Sequence, residues 1–226
     1  MTACAVRRSQ RRHVRCAGRS WLGLASLGLL LFAVATAGAE TLDADAAEAL
    51  VRARFFEGLP RDEAERIGPE GAARLIEMLA DPAERRSHSN IVLALGYCAQ
   101  PGAFEAIGDW ADAPREGEID RDTFRTWQVL PFALGHLARS DRRALERLEV
   151  RLAAPAPGWH FRHHRGARLH RLALRSVLTS LAESGLPEAG VLLDRAGRDL
   201  SDPDLHAHLE EMRALHAERR AQGRAR

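Results

Sequence analysis

The chain has 226 residues, with 33 basic residues, all of them arginine, against 31 acidic ones. Six of the arginines and none of the acids lie in residues 1–20, so the rest of the chain has 27 arginines against 31 acids. Without a net basic field to attract phosphates, the main part of the chain is not expected to bind nucleic acid.

The first 39 residues have the pattern of a secretory signal peptide. The arginine-rich residues 1–20 are followed by an uncharged, mainly apolar stretch from Trp21, and a small-x-small cleavage site ends at Ala39. An uncleaved membrane anchor is the alternative, because the 19 residues from Trp21 to Ala39 approach the length of a membrane-spanning helix. The pattern predicts a periplasmic or secreted protein, which contacts a membrane only if this segment is retained. Removal of the segment would also remove Cys4 and Cys16 and leave Cys98 as a small apolar residue with no disulfide partner.

Residues 40–226 predict one all-α domain without strands. Apolar residues recur at helical spacing, and caps and breaks separate them. The resulting helical units lie near 43–80, 81–113, 122–153 and 167–198, and a polar cap helix follows at 202–220.

The unit at 81–113 shows the pattern most clearly. Asp81 is a predicted N-cap, with Pro82 at the first helical position and Glu84 closing a capping box. The helix that follows is apolar almost all round, so it must be covered on more than one side. Gln100-Pro101-Gly102 breaks it, and an amphipathic helix with one buried stripe follows.

Related sequences recur downstream at offsets of 39 and 47 residues: ALGYCAQPGAFEAI from Ala94, ALGHLARSDRRALERL from Ala133 and SLAESGLPEAGVLL from Ser180. These spacings bracket the roughly 40–47-residue period of two-helix repeats. The pattern resembles the HEAT-repeat family, particularly the HEAT-like repeats of phycobilin lyases, over about residues 69–198. Two departures are Ala182, where the other units have glycine, and Pro131 inside a helix, where a kink is expected.

The resemblance implies a short right-handed α-solenoid of HEAT-like helix pairs that binds proteins and has no catalytic residues. In such pairs the second helices line the concave face. The candidate contact residues on these helices are Glu105, Asp109, Arg143 and Arg147. The alternative is that these charged residues only form solvated helix faces.

Residues 153–166 interrupt the repeat as an insertion rich in aromatic, arginine and histidine residues. Because tryptophan and arginine often anchor interfaces, the insertion is a candidate partner-binding loop. Its candidate residues are Trp159, Phe161, Arg162 and Arg165. The alternative is that the two aromatic rings pack the loop onto the helices. His160 and His164 are weak candidates for a metal site, since no carboxylate lies near them in the sequence.

Catalytic motifs such as HExxH, G-x-S-x-G or a phosphate-binding loop do not occur in the sequence. The chain is therefore predicted to be a non-catalytic scaffold or adaptor for another envelope protein, without a cofactor. The alternative is a periplasmic ligand- or metal-binding protein that uses the insertion at 158–170.

Overall fold

A computed structural model describes residues 41–115, 117–154, 160–161 and 166–224 of the chain. Over these residues the protein is mostly helical, which confirms the predicted all-α class. The helices are α1 (Ala44–Arg52), α2 (Arg61–Ala64), α3 (Pro69–Ala80), α4 (His88–Cys98), α5 (Ala103–Asp112), α6 (Arg121–Leu137), α7 (Arg142–Ala153), α8 (Gly166–Ser184), α9 (Pro187–Asp199) and α10 (Pro203–Arg224). None of these helices is both long and apolar enough to span a bilayer.

Short breaks separate most of the helices, and helices close in the chain pack on one another. Helix α4 packs along α6, α6 packs along α8, and α8 packs along α10. Helices α3, α5, α7 and α9 cover the other side of this row, so apolar residues of both sets meet in one continuous core. Helix α4 contacts α3, α5 and α6, and this explains why its residues are apolar on almost every side.

The recurring Ala-Leu-Gly sequence lies at the closest helix contacts. A Cβ atom built on Gly96 of α4 would lie 2.6 Å from the Cα atom of Ala133 in α6. A Cβ atom on Gly135 of α6 would lie 2.8 Å from the carbonyl oxygen of Ser180 in α8. The glycine of one unit therefore contacts the first residue of the same motif in the next unit, and the absence of a side chain sets the helix spacing.

The start of α4 differs from the prediction. Asp81 does act as a cap, but its side chain accepts a hydrogen bond from the Ala83 amide at 2.8 Å and begins only a 3₁₀ turn, Pro82–Glu84. Helix α4 begins six residues later, at His88, without a side-chain cap. The Asp-Pro pattern fits the first turn of either helix type, so it could not distinguish them.

Helix α6 begins at Arg121, where Asp120 accepts hydrogen bonds from the amides of Asp122 and Thr123 at 2.9 and 3.0 Å. The helix runs through Pro131 to Leu137 without a break.

Two short strands are a correction to the prediction that the chain has none. Strand β1 (Glu118–Ile119) pairs in parallel with β2 (His160–Phe161), with Ile119 opposite Phe161. Both of these apolar side chains are buried. Two-residue strands are too short to show the alternation by which strands are recognised in a sequence.

Candidate partner-binding site

A groove of about 1120 Å³ crosses α4. We call it the α4 groove. Its first wall is the end of α1 with the following loop, its floor is the 3₁₀ turn and α4, and its second wall is the first half of α6. These walls and floor consist of residues 51–56, 58–59, 83–84, 86–87, 89–90, 93, 122, 125 and 128–129.

The first wall is tied to the floor by polar contacts. The Asn90 side-chain amide of α4 donates to the carbonyl oxygens of Val51 and Ala53, at 2.9 and 3.3 Å. Arg52 forms ion pairs with Glu48 of its own helix and with Glu84 of the 3₁₀ turn. These bonds hold the loop in place, so the groove exists without a bound partner.

Three arginines of the groove have no acidic partner among the residues that the structure describes. They are Arg54 in the first wall, Arg86 in the floor and Arg125 in the second wall, and all three are exposed. Asp122 is the groove's remaining carboxylate, because Glu84 is paired with Arg52. The groove thus carries an excess of positive charge.

Phe56 stands at the first wall with a relative exposure of 109%, the highest among the large apolar residues described. Its neighbour Phe55 is half-buried and packs against the core. Burial of a phenylalanine side chain is worth roughly 1.5–3 kcal/mol, and Phe56 gains none of this in the free protein. Its ring is therefore available to a partner that covers it.

A smaller pocket of about 420 Å³ lies between α3, α5 and the start of α6, and His88 and Trp110 line it. The Trp110 indole N–H donates to His88 Nδ1 at 3.2 Å, which leaves the Nε2–H of His88 to donate to the Asp81 carbonyl oxygen at 3.1 Å. Burial lowers the pKa of His88, so the ring is neutral at pH 7. Both ring nitrogens are used, and this histidine has a structural role.

Three of the four predicted contact residues of α5 and α7 form ion pairs between these helices. Glu105 forms an ion pair with Arg143 at 2.7 Å, and Arg147 pairs with Asp112. The pKa of Arg143 is raised by hydrogen bonds to Asp141 and Glu105. The two ion pairs connect α5 with α7. Glu105, Arg143 and Arg147 therefore already have partners of opposite charge within the protein.

Asp109 is exposed and lies at the rim of the smaller pocket. The pKa of Glu105 is lowered by a hydrogen bond from its own backbone amide and by the contact with Arg143, so it is ionised at neutral pH.

Phe161 in the insertion is buried, with 7% exposure, which favours the alternative that its ring packs the loop onto the helices over its prediction as a partner-binding residue. Its ring centroid lies 5.1 Å from that of Phe124 and 5.5 Å from that of Trp127, both in α6. Burial of the Phe161 ring against these two rings is more favourable than its exposure to water. Phe161 therefore stabilises the packing of β2 on the helices.

The other residues of the insertion that were predicted to bind a partner or a metal, Trp159, Arg162, Arg165 and His164, lie outside the described residues. His160 is described and exposed in β2. Over the described ranges no group of three or more metal-ligating side chains occurs. Burial raises the pKa of the half-buried Cys98 thiol, which disfavours the nucleophilic thiolate.

Sequence reasoning missed the α4 groove because its charged residues come from segments up to 73 positions apart, Arg52 and Arg125. One local pattern pointed to it. Two consecutive phenylalanines, Phe55 and Phe56, precede Gly58 in the sequence, and adjacent side chains of a regular element point in different directions.

Scans of the chain against protein-family models, curated proteins and solved structures give no match. The candidate site therefore rests on the geometry and chemistry of this chain.

Proposed function

We propose that this chain is an exported, non-catalytic helical-repeat protein, a short HEAT-like α-solenoid, that holds another envelope protein in the α4 groove. The N-terminal segment would direct export, and the helix pairs would provide a rigid frame. The proposal replaces the α5 and α7 face with the α4 groove as the main contact surface, because the charges on that face are already paired.

The repeat part of the proposal is supported by the packing of the Ala-Leu-Gly motifs. Gly96 contacts Ala133, and Gly135 contacts Ser180, so equivalent positions in consecutive units meet in the same way. Repeat proteins of this kind stack each unit on its neighbours and present extended surfaces to partners.

The observation that carries the binding function is the exposed ring of Phe56 beside a preformed groove. Aromatic residues and arginine dominate the binding energy of protein interfaces, and the α4 groove presents both.

Site-specific photo-crosslinking in the native host tests this function. A photoreactive amino acid is placed in the full chain at Phe56 and, as a matched control, at Val191, an exposed apolar residue of α9. We expect a discrete protein adduct from position 56 that position 191 does not give.

The captured protein is then purified, and its affinity is measured for the unmodified chain, Phe56→Ala and Val191→Ala. We expect Phe56→Ala to weaken binding about tenfold or more, as for an aromatic hot spot, and Val191→Ala to leave it unchanged. Equal adducts from both positions, or full affinity in Phe56→Ala, would overturn the proposal.

A further inference from the structure

We infer that the α4 groove binds an acidic, extended peptide segment in which glutamate or aspartate alternates with apolar residues. This inference rests on the proposed function and specifies the chemistry of the partner. It follows from the charges of the groove, the arrangement of these charges around apolar side chains, and the charges of the chain's own segments.

The charge of the groove selects an anionic occupant. Its ionisable lining residues are four arginines and two carboxylates, and the ion pair between Arg52 and Glu84 removes one of each. Arg54, Arg86 and Arg125 then oppose Asp122 alone. A guanidinium group binds a carboxylate through two parallel hydrogen bonds, so each exposed arginine offers one such position.

The three arginines come from three sides of the groove, and apolar side chains lie between them. Phe55 and Phe56 belong to the first wall, Leu93 to the floor and Val129 to the second wall. An extended strand places successive side chains on opposite faces, so a segment with alternating acidic and apolar residues can pair with the arginines through one face and contact the apolar lining through the other. An inorganic polyphosphate chain has no apolar groups to contact these side chains, and Asp122 repels it.

The chain's own segments outside the described residues do not fit this groove. Residues 1–40 contain six arginines and one acid, Glu40, and residues 155–159 and 162–165 contain two arginines and no acid. The remaining residues outside the described ranges are Glu116, Ala225 and Arg226, so these segments together are positively charged. Positive segments are repelled by the unpaired arginines, so the complementary charge must come from a partner.

Fluorescence anisotropy with defined peptides tests the inference on the full chain. The probes are a labelled 12-residue peptide with glutamate at alternate positions and leucine between them, and matched peptides with glutamine or lysine in place of glutamate. At 50 mM NaCl we expect the glutamate peptide to bind at least tenfold more tightly than the glutamine peptide. The difference should shrink at 300 mM NaCl, because salt screens exposed charges.

Charge-reversal variants locate the binding. Arg54→Glu, Arg86→Glu and Arg125→Glu change exposed residues, so the fold is expected to tolerate them. Each should weaken binding of the glutamate peptide at least threefold, and the triple variant at least thirtyfold. The matched control is Arg198→Glu, which makes the same charge change at an exposed position of α9 and should leave the affinity unchanged.

Several results would overturn the inference. The first is equal affinity for the glutamate and glutamine peptides. The second is a loss of affinity in Arg198→Glu as large as in the groove variants. The third is that a 12-nucleotide single-stranded DNA binds more tightly than the glutamate peptide and that the groove variants abolish this DNA binding. If the glutamine peptide binds equally well and Phe56→Ala weakens it, charge selection is wrong and the proposed function stands. If no peptide binds while position 56 still crosslinks to a protein, the inference about the acidic segment is wrong, but the proposed function is not contradicted.

Discussion

Replacement of Gly96 by alanine is expected to destabilise the protein by about 3 kcal/mol, the upper part of the range for overpacked cores. The new methyl group would lie 2.6–2.8 Å from the Cα, Cβ and carbonyl oxygen atoms of Ala133. Because two of these atoms belong to the backbone of α6, no rotamer change relieves the overlap, and the two helices must move apart. Chemical denaturation followed by circular dichroism measures the change in the free energy of unfolding.

Gly108→Ala in α5 is the matched control, because a Cβ atom at Gly108 would have no atom within 4 Å. There the usual helix preference of alanine over glycine applies, and we expect stabilisation by roughly 0.5–1 kcal/mol. Gly135→Ala should destabilise, since its Cβ atom would meet the Ser180 carbonyl oxygen at 2.8 Å. If Gly96→Ala were as stable as Gly108→Ala, the close packing of α4 on α6 would be wrong.

The stability of the folded protein is expected to fall by roughly 2 kcal/mol as the pH drops from 6.5 to 4.5, because of His136 alone. Burial, followed by the positive charges of Arg61, Arg139 and Arg219, lowers the pKa of His136 to about 3. The ring also contacts Tyr97 edge-on, at 4.5 Å between centroids. The folded protein thus holds a neutral imidazole.

The direction of the effect follows from proton binding. Between pH 6.5 and 3 the unfolded chain binds a proton at His136 that the folded chain does not, so acid favours unfolding in this window. Burial also lowers the pKa of His88, which adds to the effect in the same direction. Urea denaturation at several pH values should show a smaller pH slope in His136→Gln than in the unmodified chain.

The control for this experiment is His170→Gln, at an exposed position of α8. We expect this variant to keep the full pH slope. An unchanged slope in His136→Gln would contradict a half-buried, neutral His136 in the folded protein.

Helical periodicity in the sequence predicts the helices well because each buries a stripe of apolar residues at regular spacing. Trp127, Leu130 and Leu134 of α6, for example, are predicted to point inward and are at most 3% exposed. The Ala-Leu-Gly repetition indicates related units, but only the helix contacts show its cause, which is the space that Gly96 leaves for Ala133.

The sequence alone could not predict features that depend on contacts between distant segments. The pairing of Ile119 with Phe161 joins two loops whose local patterns predict no strand. Phe161 has the composition of an interface residue, but the cluster with Phe124 and Trp127 buries it. Glu105 and Arg143 are candidate contact residues in the sequence, and only the structure shows that they pair with each other.

We propose that the α4 groove, and not the face of α5 and α7, binds the partner. Amide hydrogen–deuterium exchange of the full chain, with and without the glutamate–leucine peptide, tests it most directly. We expect the peptide to increase protection from exchange in residues 51–59, 83–93 and 122–129, which line or adjoin the groove. Protection centred on residues 105–112 and 143–147 instead, or none at saturating peptide, would contradict it.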